Sequence, residues 1–336
     1  MLNDISSDYK ITLKNGKTFY CGVNSTVLNA AKLAGVELEH SCVKARCRSC
    51  VTKVITGNYR DVIDDIVLSL EEKKNHLLSC IAVPTSDLIL DIEDLSGIQS
   101  FDKKIVPAKI NSIEKLNISV IEVSLRLPSN SNFGYNPGQY VNISKGLITR
   151  SYSIANEFTD NGVLKFFIKK YDNGVMSKYW FENAKVNDLL RVEGPLGSFM
   201  LRESDMENIV FLATGTGIAP IKSILEKMSK SKKSYSSKNI WLFVGARFEN
   251  DFFWNPVELG ASLNLKYIPV LSRASKEWKG EKGYVQNILV KHNISLAKSQ
   301  VYACGSNKMI EEAKKLLIEN GLNNMHFFSD AFVQSN

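Results

Sequence analysis

Apolar and polar residues alternate in short runs through the first two thirds of the chain and gather into unbroken apolar runs in the last third. Near the start, DYKITL and KTFYCGV alternate about Asn15-Gly16, which predicts a hairpin with a type I′ turn. Ser25 or Thr26 is placed to cap a short helix that runs through Leu33 and ends near Gly35. Two strands, a helix and a cysteine-bearing loop follow one another before LILDIEDL closes the unit, the order of a β-grasp over residues 1–98, and residues 96–104 read as a linker.

Between residues 105 and 192 the pattern is strand after strand. AKINSIEKL, SVIEVSLRL, GQYVNIS, RSYSIA, VLKFFIK and DLLRVEG are separated by turn residues, and a single helical stretch, VMSKYWFENA, interrupts them. Such a run predicts a small closed six-stranded antiparallel barrel over residues 103–203. After Asn208 the period changes: IVFLA, IWLFVGA, YIPVL, VYACG and HFF alternate with helical segments, and Ile221, Ile224, Leu225 and Met228 share one helix face. Residues 206–336 therefore read as a doubly wound parallel sheet, making the whole a multidomain α+β and α/β chain.

At 336 residues the chain is too long for one ordinary core, which agrees with three units. The net charge of +7 is unevenly spread: residues 1–100 carry 11 Lys and Arg against 13 Asp and Glu, leaving +9 on the rest. The basic residues are scattered among acidic ones, which excludes the clustered, aromatic-interleaved patch of a nucleic-acid binder. The N-terminal MLNDISSDYK has no signal-peptide character and no stretch approaches the ~20 apolar residues of a membrane span, so a cytoplasmic protein is expected.

Four of the six cysteines fall within residues 42–80. Cys42-x4-Cys47-x2-Cys50, with Cys80 far downstream, has the plant-type [2Fe–2S] spacing: a tight loop offers three thiolates and the fourth returns from elsewhere. Zinc motifs pair their ligands twice over, and His40 and His76 lack the arrangement of a Rieske centre. Ala45 stands where such loops commonly carry glycine, so the backbone there must tolerate a Cβ. Lys44, Arg46 and Arg48 either favour the reduced cluster or simply face water.

Arg150-Ser151-Tyr152-Ser153 is preceded by Pro137-Gly138-Gln139-Tyr140 and followed by Gly174-Val175-Met176-Ser177 and Gly194-Pro195-Leu196-Gly197-Ser198-Phe199. Gly215-Thr216-Gly217-Ile218-Ala219-Pro220 follows a buried strand and opens a helix with proline in its first turn, where glycines let phosphates approach free amides. Tyr302-Ala303-Cys304-Gly305-Ser306 lies near the end. In these motifs the chain resembles the ferredoxin–NADP reductase superfamily over nearly all its length. The resemblance implies FAD, with Arg150 on its pyrophosphate, Tyr152 on the ring, Ser153 at N5, and Gly174, Val175, Met176 and Ser177 at a phosphate. It implies a nicotinamide held by Gly215, Thr216, Gly217, Pro220, Cys304 and Gly305, with Cys304 near the reacting carbon. Cys21 has no motif company and reads as a strand-packing residue.

The terminal FFSDAFV, with RSYSIAN and VYACGS, is similar to one branch, the CDP-6-deoxy-3,4-glucoseen reductases of deoxysugar biosynthesis. In that branch Asp330 and Phe332 would lie near the flavin, with Asp330 handling or stabilising the N5 proton. The implied activity is an NAD(P)H-dependent iron–sulfur flavoprotein reductase: hydride enters at FAD, and single electrons leave through the cluster to a pyridoxamine-phosphate- and iron–sulfur-containing dehydrase acting on a CDP-4-keto-6-deoxyhexose. The reductase component of a multicomponent oxygenase has the same domain order, and a redox-sensing module that never turns over is the non-enzymatic alternative. Ser272, Arg273, Lys282 and Tyr284 fall at the spacing that holds a 2′-phosphate and stacks an adenine in NADP-specific members, whereas the branch is typically NADH-dependent and Glu277 and Glu281 lie near enough in sequence to offset the charge. Both nicotinamides are expected, with NADH modestly favoured.

Overall fold

The computed structural model describes residues 8–40, 45, 50–64, 68, 72–99, 101–231, 235–260 and 263–331. Contacts divide the chain into two compact units, residues 1–100 and 101–336.

In the first unit, strands β1 (Tyr9–Leu13) and β2 (Thr18–Cys21) pair antiparallel, with Thr12 opposite Thr18. The alternation works as the sequence predicts: Ile11, Leu13, Phe19 and Cys21 point inward, Lys10 and Tyr20 outward. The turn differs from expectation. Gly16 N–H donates to Leu13 C=O at 2.9 Å and Leu13 N–H to Lys17 C=O at 2.8 Å, with φ positive at Gly16 (+84°) but not at Asn15. A type I′ turn needs positive φ at both central residues, so this is a three-residue loop ending in a left-handed glycine. Helix α1 (Val27–Leu33) is capped by Thr26, whose hydroxyl accepts from Asn29 N–H at 3.3 Å, and it buries Val27, Leu28, Ala30 and Ala31. Strands β3 (Val51–Thr56), β5 (His76–Leu78) and β7 (Leu88–Asp91) complete a mixed sheet in the order β2-β1-β7-β3-β5, with β7 parallel to β1. A separate ribbon of β4 (Tyr59–Asp61) and β6 (Ala82–Pro84) was not foreseen. One apolar cluster, including Ile11, Val27, Leu77, Leu78, Ile81 and Leu88, fills this unit.

The second unit starts with six antiparallel strands: β8 (Lys104–Lys115), β9 (Val120–Arg126), β10 (Tyr140–Lys145), β11 (Ile148–Ser153), β12 (Val163–Lys169) and β13 (Leu189–Leu196), in the order β11-β10-β13-β8-β9-β12. The barrel seam between β11 and β12 is made where the chain leaves β11: Ala155 N–H donates to Lys165 C=O at 2.7 Å, and Lys165 N–H to Asn156 Oδ1 at 2.7 Å. Helix α2 (Val175–Lys178) continues into a wider turn over Tyr179–Asn183, closed by Ala184 N–H on Tyr179 C=O at 2.8 Å.

The remaining strands, β14 (Asn208–Thr214), β15 (Asn239–Ala246), β16 (Leu265–Leu271), β17 (Glu281–Lys282), β18 (Ser299–Gly305) and β19 (Phe327–Ala331), form a wholly parallel sheet in the order β17-β16-β15-β14-β18-β19. Successive residues of β14 and β18 serve opposite faces. Phe211, Ala213, Tyr302 and Cys304 pack with helix α3 (Ile218–Lys230) and with barrel residues Val120, Phe167 and Phe199. Val210, Leu212, Val301 and Ala303 pack with α5 (Val285–Lys291) and α6 (Asn307–Glu319), while the one-turn α4 (Val257–Gly260) lies between β15 and β16 in sequence. Strands buried on both faces read as continuous apolar runs, which is why the period changed after Asn208.

Candidate functional site

Strand order reverses between β14 and β18, and in open parallel sheets the crevice outside the carboxyl ends of such strands is where ligands bind. Gly215 follows β14 and Gly305 ends β18. Gly215, at φ +56°, has open space where a Cβ would stand. Gly217 is the opposite case: a Cβ there would lie 2.3 Å from Cys304 C=O, so the turn into α3 passes directly over the end of β18. Gly305, at φ +149°, has the Thr214 hydroxyl 2.1 Å from its missing Cβ, and Ser306 N–H donates to that hydroxyl at 3.3 Å. Thr216 lies within this turn and Pro220 is buried in the first turn of α3.

Cys304 is completely buried between these glycines, and burial, then the charge of Asp330, pushes its thiol well above the ordinary range. Register pairing places Asp330 beside Cys304 on the neighbouring strand β19. Beneath them Tyr302 stacks on Phe328 with ring centres 4.8 Å apart, and its hydroxyl accepts from Arg202 N–H at 2.8 Å, fastening the sheet to the barrel exit. Phe332 lies outside the described residues.

In the barrel, Ser153 is buried at the end of β11, opposite Tyr140, and its hydroxyl has no hydrogen-bond partner among the described residues. Tyr152 sits between Phe166 and Trp180, both edge-on, and its hydroxyl accepts from Trp180 Nε1 at 2.9 Å. Desolvation pushes this phenol up to about 12, so it stays neutral at any working pH. Trp180, which sequence reading missed, thus ties the Arg150–Ser153 strand to the helix opened by Gly174. Arg150 is partly exposed and turns one Nη to Thr149 C=O at 2.8 Å. Of the second motif, Met176 points into the barrel core and Ser177 Oγ accepts from Tyr171 N–H at 2.7 Å, so those side chains build the loop while Val175 is exposed. Gln139 secures the preceding motif by donating from Nε2 to Gly197 C=O at 2.9 Å.

At the far strand ends Ser272 N–H donates to Ala246 C=O and Arg273 N–H to Arg247 C=O, each at 3.0 Å, bringing two exposed arginines onto adjacent ends of β15 and β16. Arg247 was not singled out from sequence, having no motif around it. Lys282 Nζ donates to Ser275 C=O at 3.3 Å, and Tyr284, 61% exposed, caps α5. The expected acidic neighbours divide. Ser275 and then Lys282 hold the Glu277 carboxyl below its ordinary range, while Glu281 turns away to His292 at 3.3 Å.

In the first unit Cys50 and Cys80 Sγ stand 3.2 Å apart and both are buried. That is well beyond a disulfide bond of ~2.05 Å and close to the roughly 3.8 Å spanned by two thiolates on one tetrahedral metal. Cys80 is held down to about 6, chiefly by Cys50, with Ala45 N–H also directed at it. Ala45 takes the left-handed conformation, φ +58°, that its place in the loop demanded. Ser79 keeps a buried hydroxyl with no hydrogen-bond partner among the described residues. The donor chemistry therefore suits a thiolate-held cluster; Cys42 and Cys47 lie outside the described residues.

Residues 11–85 match the 2Fe-2S iron-sulfur cluster binding domain, 107–201 the oxidoreductase FAD-binding domain and 211–315 the oxidoreductase NAD-binding domain. The chain is 36% identical over 315 residues to Protein RfbI of Salmonella typhimurium, covering 93% of each. It is 34% identical over 323 residues to the CDP-6-deoxy-L-threo-D-glycero-4-hexulose-3-dehydrase reductase of Yersinia pestis, covering 96% of this chain and 97% of the other. The anthranilate 1,2-dioxygenase electron transfer component of Acinetobacter baylyi is 30% identical, with 97% of both chains covered. Among solved structures, an Amycolatopsis cytochrome P450 reductase, GcoB, shares the fold at a TM-score of 0.71 and 23% identity, over 96% of this chain and 98% of that one.

Proposed function

Because the chain belongs to the family of iron–sulfur flavoprotein reductases that includes the CDP-6-deoxy-hexulose 3-dehydrase reductases, we propose that its electrons go to a cytoplasmic dehydrase acting on a CDP-linked 6-deoxy-4-hexulose. It is an NAD(P)H-dependent oxidoreductase with FAD and a [2Fe–2S] cluster as cofactors. When bound, these groups supply two-electron hydride chemistry at one end and one-electron transfer at the other.

The protein's own part is to bind and place them. Ser153 offers the flavin ring a hydroxyl that has no hydrogen-bond partner among the described residues, and Tyr152, fixed by Trp180, presents a rigid neutral ring at the same strand end. Arg150 supplies a cation for the pyrophosphate beside the amides of residues 174–177. Gly215, Thr216 and Gly217 leave room for the nicotinamide dinucleotide over the switch point, with Cys304, Gly305 and Asp330 beneath it. Arg273 and Ser272 meet the adenosine end, Tyr284 stacks there, and both NADH and NADPH are accepted. Cys42, Cys47, Cys50 and Cys80 hold the cluster.

The partner assignment is carried by the kinship itself: the dehydrase reductases and RfbI match at 34–36%, the oxygenase components at 26–30%. The test is reconstitution of the purified protein with NADH, a CDP-4-keto-6-deoxyhexose and its pyridoxamine-phosphate-dependent dehydrase. NADH oxidation should couple to 3-deoxysugar formation. Coupled turnover with an oxygenase component, and none with the dehydrase, would overturn the assignment.

A further inference from the structure

The polar face of α3 addresses the backbone that leaves the flavin strand. Lys222 Nζ donates to Ala155 C=O at 2.9 Å and pairs with Glu226. Ser223 Oγ donates to Asn156 C=O at 2.6 Å. Glu226 Oε2 accepts from Glu157 N–H at 2.8 Å, and the Glu157 carboxylate meets Lys230 Nζ at 2.7 Å. Three consecutive backbone groups, two carbonyls and an amide, are thus held by side chains at positions 222, 223 and 226 of one helix. That helix starts where Gly217 ends, and Ala155 stands two residues after Ser153.

An exposed Lys–Glu pair at i, i+4 contributes little to stability. Lys222 is different: it is 9% exposed, lies 6.0 Å from the Phe167 ring centre, and aims its charge at a main-chain carbonyl. A buried ammonium is costly unless fully partnered, and a methionine-like side chain would fill the same space without that cost. What the charge adds is register between two backbone segments that the sequence separates by 67 residues.

We infer that Lys222, with Ser223 and Glu226, is a positioning residue for hydride transfer, fixing the Ser153 strand end against the Gly215–Gly217 turn. The limiting rate is sensitive to such placement, because a misplacement of about 1 Å can cost ~10²-fold.

The test is Lys222→Met in the FAD- and cluster-loaded protein, read by stopped-flow flavin reduction across NADH concentrations, together with amide hydrogen exchange of residues 155–157 in the flavin-free protein. The limiting reduction rate should fall by roughly 10- to 100-fold while the apparent NADH dissociation constant changes less than about threefold. Exchange at the Glu157 amide should rise at least about tenfold, and Lys222→Arg should restore most of both. A variant that merely loses melting temperature or FAD content, yet is reduced at the wild-type limiting rate once loaded, would overturn the inference, as would unaltered exchange. Should Lys222→Met not fold, Ser223→Ala removes the 2.6 Å bond alone and should produce the same two changes at smaller size; a wild-type rate there would also overturn it.

Discussion

Gly217→Ala isolates one steric fact at the nicotinamide turn. Gly217 has φ −59°, which any residue adopts, so the substitution adds no torsional strain. The new Cβ would stand 2.3 Å from Cys304 O, 2.6 Å from Cys304 C and 2.8 Å from Gly305 N, all backbone atoms. Ordinary van der Waals contact starts near 3.4 Å, so about 1.1 Å must be gained. The strand cannot yield it cheaply: Cys304 is paired with Ala213 on one side and Asp330 on the other. The turn must move instead, carrying the start of α3 away from β18. Overpacking of this kind costs about 1–3 kcal/mol of stability. At the site, a shift of about 1 Å corresponds to ~10²-fold in rate, or about 2.7 kcal/mol of transition-state stabilisation. Stopped-flow flavin reduction by NADH and a thermal melt measure the two effects separately. A variant reduced at the wild-type rate would refute the placement of the nicotinamide over this turn; a lowered melting temperature alone would leave only the steric argument standing.

Cys80→Ser should lose iron while keeping FAD and ferricyanide reduction, because the cysteine pair belongs to the first unit and hydride enters the second; iron assay, flavin absorbance and diaphorase rate decide it, and flavin loss would contradict it. Trp180→Phe removes the hydrogen bond to Tyr152 and should cost roughly 1 kcal/mol with faster FAD release, followed by flavin fluorescence. Arg273→Ala should raise KM for NADPH several-fold and leave that for NADH nearly unchanged, since only NADPH carries a 2′-phosphate; equal effects on both would place the adenosine end elsewhere. Ala45→Gly should raise the melting temperature slightly, relieving a left-handed alanine worth about 1 kcal/mol, with the iron content unchanged.

Much of this was legible because the relevant signals are local. Cysteine spacing, glycine-rich turns and apolar runs each describe a few consecutive residues, and they mark β1, β2, β7, the six barrel strands and every strand of the parallel sheet except the two-residue β17. The losses are of two kinds. At Asn15-Gly16 the dipeptide marks a reversal, but whether Lys14 ends a strand or enters the loop depends on pairing across the hairpin. Elsewhere the missing information is long-range: Lys222 and Glu226 look like any solvated helix pair until Ala155 arrives from 67 residues away, and Glu281 looks like a neighbour of Arg273 until β17 turns its carboxylate to His292. Trp180 likewise reads as core until Tyr152 meets it. Motifs reveal which atoms do chemistry; what holds those atoms in place is written in pairs far apart.

The first hundred residues close an apolar core of their own, drawn wholly from β1 to β7 and α1 with their loops. Selection can therefore redraw the outer surface of the electron outlet, residue by residue, without disturbing the packing beneath the hydride site. Within one lineage this uncouples the choice of customer from the choice of fuel, and it makes residues 1–100 the natural exchange cassette for redirecting such a reductase to a new acceptor.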